Sequence, residues 1–496
     1  MNFAEAIKND SRHTYTENGA TAISSTGSGL LDFFGSAGSL RTANNSRIET
    51  LFAEAIKDDK LLAAKSLFYI RDVREGLGER NTFRVLLHYT AMHHPEMVKP
   101  NIALIGEYGR FDDLYELVNT PLEDDMWAYI KQQLADDYWK AMRANKPCSL
   151  LAKWLKTADA SSARTRKLGI MTARNIDMTV YDYKRCVRAL RKYIDVTEAK
   201  MSTQNWDKID YSTVPSRAMM NYRKAFQKHD GNRYNEFINK AVKGEAKINA
   251  STLFPYDLIE KYLQETDDYY WDFNFNRLHY NEAIEAQWNA LPDYVGTEAN
   301  AIVIADTSGS MSGRPICSAV GLAVYFAQRN KGAFHNLWMS FSHDSKVQTL
   351  RGESLAQQLA SIDTKYWHSN TNLERAFEHI LQIACDNHVK PEEMVKSIIV
   401  ISDMEIDCCT GSSWLFYDEM RQRYLNAGYD IPNIVFWNVN SRHDIFHADK
   451  NRKGVQLCSG QSPATFRQLM KSVGMTPMEM MMSVLNSERY DPIQIG

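Results

Sequence analysis

Residues 301–313 read AIVIADTSGSMSG: an unbroken apolar run that ends in an aspartate, then a loop of hydroxyl residues and glycines. A strand with one wet face would alternate apolar and polar residues. A continuous β-branched run predicts a strand buried on both faces, as in a parallel sheet. Upstream the pattern is different. From Ser46 to about Ala290 apolar residues recur at three- and four-residue steps, as in Ile48, Leu51, Phe52, Ala55 and Ile56, which is the mark of amphipathic helices. The period changes near Gly296. Beyond it, strand-like runs (337–341, 347–350, 397–402, 433–438, 454–458) alternate with helical ones (315–330, 354–362, 373–388, 414–427, 464–472). This alternation predicts a doubly wound α/β domain whose binding sites lie beyond the carboxyl ends of its strands.

In the N-terminal half, helical segments at 61–73, 80–93, 99–108, 111–118 and 123–144 are joined by short breaks. Helices so joined predict stacked pairs, and the lack of a strict repeat predicts an irregular solenoid. Four units are expected. Residues 1–45, rich in Ser, Thr, Asn and Gly, form a loosely ordered arm that docks through Leu30, Leu31, Phe33 and Phe34. Residues 46–295 form the helical domain, 296–475 the α/β domain, and 476–496, with its MTPMEMMM stretch, a tail packed on the body.

The chain has 496 residues, 44% hydrophobic and 24% charged, which excludes disordered and collagen-like classes. No apolar run approaches the ~18 residues of a membrane helix, and the first residues lack the layout of a secretory signal. Seven cysteines form no CxxC repeat, and Cys408 adjoins Cys409. Free thiols in a reducing cytoplasm are expected. The net charge of −3 hides an asymmetry: Lys140 to Lys247 holds 24 Lys/Arg against 10 Asp/Glu, or +14, leaving −17 elsewhere. Such a block points to a polyanion or to solvated helix faces. Within YKRCVRALRKY, Lys184, Arg185, Arg188, Arg191 and Lys192 fall mostly on one helical face, with Val187, Leu190 and Ile194 on another. Arg217 and Arg223 extend the set of candidate phosphate contacts, and SSARTRK adds Arg164, Arg166 and Lys167. Trp206, Tyr211, Tyr222, Phe226 and Tyr234 interleave with the cations, either to stack unpaired bases or to build a core.

Asp306, Ser308 and Ser310 place one carboxylate and two hydroxyls on a single turn. Two more oxygen-rich loops, HSNTN (368–372) and SDMEID (402–407), occupy strand ends of the same domain. Hard oxygen donors suit Mg2+, with Mn2+ or Ca2+ as alternatives. Several enzyme classes fail on chemistry. A phosphoaspartyl hydrolase needs a second aspartate where Ser308 stands, and no GxxxxGK[ST], GxGxxG or workable GxSxG occurs. No nucleophile is paired with a base, so the expectation is a protein that is not an enzyme.

The segments DTSGSMSG, TNLERA and ISDMEID resemble the metal-ion-dependent adhesion site of von Willebrand factor A domains. The resemblance implies Asp306, Ser308, Ser310 and Thr371 as ligands, with Asp403 acting directly or through water. REGLGER (74–80), YGRFDDLYEL (108–117), SLLAKWLK (149–156), DYSTVPSRAM (210–219) and KGEAKINASTLFPYDLI (243–259) extend the likeness to the Ro autoantigen (TROVE) layout. They resemble more closely a related family of unknown function with the same layout. Ro proteins imply a ring of HEAT-like helices closed by a von Willebrand A domain. They bind single-stranded ends of misfolded RNAs and, on the outer surface, small structured noncoding RNAs. The helical half departs from Ro in its local motifs, so no RNA-contact residue is carried over. The expectation is a cytoplasmic RNA-binding scaffold. The alternative is a metal-dependent protein-interaction module that grips a partner's carboxylate and docks an acidic protein on the basic helices.

Overall fold

The computed structural model describes residues 7, 11–264, 275, 278–296, 299–410 and 414–496. The apolar runs form a six-stranded sheet from β3 (Ala301–Asp306), β4 (Leu337–Phe341), β5 (Ser345–Thr349), β6 (Ser397–Ser402), β7 (Asn433–Asn438) and β8 (Val455–Ser459). Its order is β5-β4-β3-β6-β7-β8, with only β5 antiparallel. An N-terminal hairpin of β1 (His13–Tyr15) and β2 (Thr21–Ile23) makes a second, two-stranded sheet.

All six residues of β3 and of β6 are buried. Successive side chains enter different cores, as the two-residue period requires. Val303 and Ala305 pack with helix Arg314–Arg329, while Ile302 and Ile304 pack with Phe377, Phe416 and Tyr424 from two helices on the opposite face. The expected boundary at 296 does not divide the hydrophobic core. Helices Pro255–Leu263 and Glu282–Asn289 lie in the same cluster as Val303 and Trp437. Glu285, 2% exposed, accepts hydrogen bonds from Leu355 N (2.8 Å) and Ala356 N (3.0 Å) and so caps a helix of the α/β half. The expected helix over 99–108 is broken into 3-10 turns, Lys99–Leu104, and one α-turn, Ile105–Tyr108. Pro100 lacks the amide that a helix entering from Pro95–Val98 would need.

The expectation of a loose arm is corrected for residues 11–45; residues 1–6 and 8–10 lie outside the described ones. Its hydroxyl residues serve as tethers: Thr16 Oγ1 donates to Ile406 O at 2.8 Å, and Asp32, 6% exposed, accepts from Ser25 and Thr26. Helix Gly29–Ser36 buries Leu30, Leu31, Phe33 and Phe34. Gly38 N donates to Ser459 Oγ at 2.9 Å, and a Cβ at Gly38 would stand 2.6 Å from the Gly460 backbone. The C-terminal segment is equally fixed. Helix Pro477–Leu485 packs into the core of the N-terminal helices, where Tyr490 is 1% exposed. Arg489 clasps the buried Asp72 carboxylate at 2.8 and 3.1 Å.

Substituting Gly38→Val forces backbone against backbone and is expected to cost about 1–3 kcal/mol, read by chemical denaturation. Burial holds the His447 imidazole down at about 4, with Nε2–H donated to Met404 O. The unfolded chain therefore binds the extra proton between about pH 6.5 and 4, so stability falls as pH drops through that window. The expected loss is up to about 3 kcal/mol, and His447→Gln should flatten it.

Candidate functional site

The strand order reverses between β3, which leads to β4 on one side, and β6 on the other. A crevice opens at the carboxyl ends of strands at such a point. Asp306 ends β3 and Asp403 follows β6, so the order of the sheet brings the two carboxylates together. The second loop is tied to the first by His368 N to Thr307 O (2.8 Å) and Gly309 N to Ser369 O (3.0 Å), and to the third by Asp407 N to Thr371 O (2.9 Å). All three loops thus converge. His368 and Met404 hold positive φ (63° and 69°) without being glycine, so both flanking loops carry backbone strain.

Asp306 is fully buried, accepts from Ser308 N (2.8 Å) and Ser402 Oγ (2.5 Å), and joins no ion pair among the described residues. Burial first, then the Asp403 charge, raises its pKa well above the usual carboxylate range. Ser308 Oγ lies 3.1 Å from Ser310 Oγ, Thr371 is 2% exposed, and Ser310 is exposed. Asp403 is differently placed. Its Oδ2 accepts from Arg442 Nη2 at 3.0 Å, and Arg442 also pairs with Glu17 of the N-terminal hairpin. The sequence reading missed Arg442, which stands outside every motif. One carboxylate charge is balanced from within; the other, on Asp306, is not. An uncompensated buried carboxylate among three hydroxyls is a hard-oxygen donor set that fits a divalent cation. No group of three or more His, Cys, Asp or Glu side chains is placed to hold a metal among the described residues, so any ion there rests on the hydroxyls as well.

The basic residues divide. Lys184, Arg188, Arg191 and Lys192, all on helix Val180–Tyr193, line a groove of about 650 Å³ together with Lys200 and Lys208. Ala158, Val187, Val196 and Ala199 supply its apolar lining. Arg188, Lys192 and Lys208 are exposed and join no ion pair among the described residues, whereas Lys184 pairs with Asp159 at 2.8 Å and Lys200 with Asp195 at 2.7 Å. Arg191 is not available for phosphate as expected. Its guanidinium donates to the carbonyls of Ala152 (2.8 Å) and Leu155 (2.7 Å), pinning the preceding turn. Arg185 lies outside the groove, over the Tyr181 ring at 6.0 Å. Arg217 pairs with Asp257 at 3.0 Å, and Arg223 is 9% exposed on another helix, so neither extends this surface. The interleaved aromatics build a core: Tyr211 meets Phe226 at 5.2 Å and Tyr234 at 5.4 Å, and Trp206 stacks on His229 at 4.5 Å. All seven cysteines are free thiols. No helix is long and apolar enough to cross a membrane among the described residues.

Arg191→Ala should lower stability by about 1–3 kcal/mol through two or more orphaned carbonyls, whereas Arg188→Ala should leave the denaturation midpoint nearly unchanged.

Comparison with known proteins places these features. Residues 300–492 match a domain of unknown function (DUF7788). An uncharacterized protein (L728) of Acanthamoeba polyphaga mimivirus is 27% identical over 528 aligned positions, covering 97% of this chain and 89% of the viral protein. The crystal structure of the Deinococcus radiodurans RO (RSR) protein covers 90% of this chain and 99% of its own, at 13% identity and a TM-score of 0.45. That likeness is too loose to carry an argument about function. Residues 16–146 and 143–299 match a second domain of unknown function (DUF2828). That match spans more than half of the sequence, from the N-terminal hairpin to the threshold of β3, and the chain belongs to the DUF2828 family.

Proposed function

We propose that this chain is a noncatalytic RNA-binding scaffold of the reducing cytoplasm, with a HEAT-like helical half and a von Willebrand A-like α/β half. The observation that carries the reading is the groove beside helix Val180–Tyr193, where Arg188, Lys192 and Lys208 stand exposed, join no ion pair among the described residues, and share the lining with apolar side chains. Exposed cations outside any ion pair give up none when they meet a phosphate backbone, and neutralising its phosphates releases the counterions condensed on the strand. The apolar lining suits an unstacked base of a single strand or a loop.

At the strand ends, Asp306, Ser308, Ser310 and Thr371 would hold one divalent cation, Mg2+ foremost. Bound there, the ion would offer a Lewis-acidic position to a partner's carboxylate or phosphate. Asp306 supplies the full negative charge, while Asp403, held by Arg442, acts at one remove through water. A second reading, a metal-dependent protein-interaction module, is favoured by one observation: Ser310 is the exposed member of an otherwise buried donor set, so the site faces outward.

Fluorescence anisotropy with a single-stranded RNA across a salt series tests the first reading. Losing two contacts in the Arg188→Ala/Lys192→Ala variant should weaken binding and reduce the slope of log affinity against log salt by about 1.4, from roughly 0.7 per contact. Unchanged affinity and slope would remove the groove from RNA contact. Titration of Mn2+ followed by electron paramagnetic resonance tests the metal: Asp306→Ala should abolish binding, and equal uptake by both proteins would remove the ion from the proposal.

A further inference from the structure

Three of the stretches singled out in the sequence, REGLGER, YGRFDDLYEL and SLLAKWLK, meet at one cluster of charge that lies beside the basic groove but shares no lining residue with it. Its centre is the adjacent pair Asp112 and Asp113, 7% and 0% exposed. Asp113 accepts from Arg71 Nε at 2.7 Å and from Arg84 Nε at 2.6 Å. Asp112 receives Arg84 Nη2 at 2.9 Å, both arms of Arg110 at 2.9 Å each, and Lys156 Nζ at 3.7 Å. The Arg110 guanidinium lies 4.1 Å from the Trp154 ring centroid, and Lys156 Nζ lies 5.4 Å from that of Tyr115. Arg80 adds a further cation, and its pKa is lowered by partial burial and by the charges of Arg110 and Arg84. Two aspartates and the nearby Glu116 thus face five cations. The carboxylates lock the guanidinium planes in place without neutralising the cluster, which is how a preorganised anion site differs from a set of ion pairs.

From this cluster Arg84, Asp112, Glu116, Tyr115 and Lys156 line a cavity of about 550 Å³, with Arg71 and Arg110 behind them holding the aspartates, inside the span of about 300–1,000 Å³ typical of small-molecule sites. Helix Ala163–Asn175 contributes Arg164 and Lys167 to the lining; both are exposed and join no ion pair among the described residues. Val118, Leu168 and Met171 supply an apolar wall. The acids that line it are Asp112 and Glu116, the first already shared among three cations. A cavity that combines more cations than acids with an aliphatic patch suits a compact anion that carries a flat apolar body. An extended acidic peptide would leave that wall empty.

We propose that this cavity binds a nucleoside phosphate, with Arg84, Lys156, Arg164 and Lys167 around the phosphate and Val118, Leu168 and Met171 against the base. The ligand is a free nucleotide or the phosphorylated end of an RNA strand; the chemistry recognised is the same. The inference does not rest on the RNA-binding reading, because none of the unpaired cations of the other groove lines this cavity.

Calorimetric titration of the full chain with AMP, adenosine and inorganic phosphate tests it. The expected result is saturable 1:1 binding of AMP, with adenosine weaker by about tenfold or more, the effect of losing one charge-assisted contact. Arg164→Glu/Lys167→Glu, at two exposed positions, should lose at least about tenfold while melting as the unaltered protein does. Arg188→Ala/Lys192→Ala should bind AMP normally. Displacement of AMP by a 5′-phosphorylated RNA, and not by its 5′-hydroxyl counterpart, would identify a strand end as the ligand; indifference to both RNAs would identify a free nucleotide. Adenosine binding as tightly as AMP, or AMP affinity unchanged in the doubly reversed variant, would overturn the proposal. RNA binding that depends on Arg188 and Lys192, with no response to AMP or to a 5′-phosphate, would overturn it as well and leave the RNA-binding reading standing.

Discussion

A sheet whose central strands are apolar on both faces has to be covered on both, and in this chain helices of the α/β segment share that task with residues from far outside it. On one face Trp288 and the helix around Tyr256 and Leu258, from the helical half, share a core with Val303 and Trp437. On the other, Ala20 and Ile23 of the N-terminal hairpin join Ile304, Ile398 and Val400. The two halves therefore share hydrophobic cores on both faces of the sheet. The close approach of Gly38 to Gly460 follows from the same demand, since a helix that brings the arm against β8 cannot keep a side chain between the two backbones.

The same packing shapes the acidic crevice. Because the hairpin lies against the third loop, Glu17 and Asn18 reach Glu405, through Glu17 N to Glu405 Oε2 (2.7 Å) and Asn18 Nδ2 to Glu405 O (2.6 Å). Arg442 is then shared between Glu17 and Asp403. The charge at the strand ends is thus set partly by residues some 400 positions away in sequence, and any change at Asp403 is felt by the hairpin.

The strands were largely legible because burial on both faces leaves continuous β-branched runs: 337–341, 397–402 and 433–438 are the residues of β4, β6 and β7. Convergence of the three oxygen-rich loops was legible for the same reason, since strand order dictates it. In the arm, the docking patch Leu30, Leu31, Phe33 and Phe34 was legible as an apolar run, but the order of the polar residues around it was not. Thr16, Ser25 and Thr26 have the composition of a loop, and only tertiary contacts turn their hydroxyls into tethers. Nor does helical spacing report depth: Arg188 and Arg191 sit three residues apart, yet one faces solvent and the other is spent on backbone carbonyls. The arginine cluster around Asp112 and Asp113 is not legible because its cations come from segments far apart in the sequence. Adjacent buried aspartates were the one signal available, since such a pair requires several cations nearby.

The C-terminal clasp has a consequence for how the protein is made. Met481, Val484, Leu485, Tyr490 and Ile493 complete the core of helices formed by the first 190 residues. A ribosome releases those helices long before it releases the residues that seal them. During synthesis the nascent N-terminal half must wait without the cover that Arg489 and Tyr490 give to Tyr69, Tyr108 and the Asp72 carboxylate, and this core can close only after they emerge. Contacts of such long sequence separation make this step slow, and they keep the core of the N-terminal helices exposed to chaperones and aggregation until residues 477–493 have emerged.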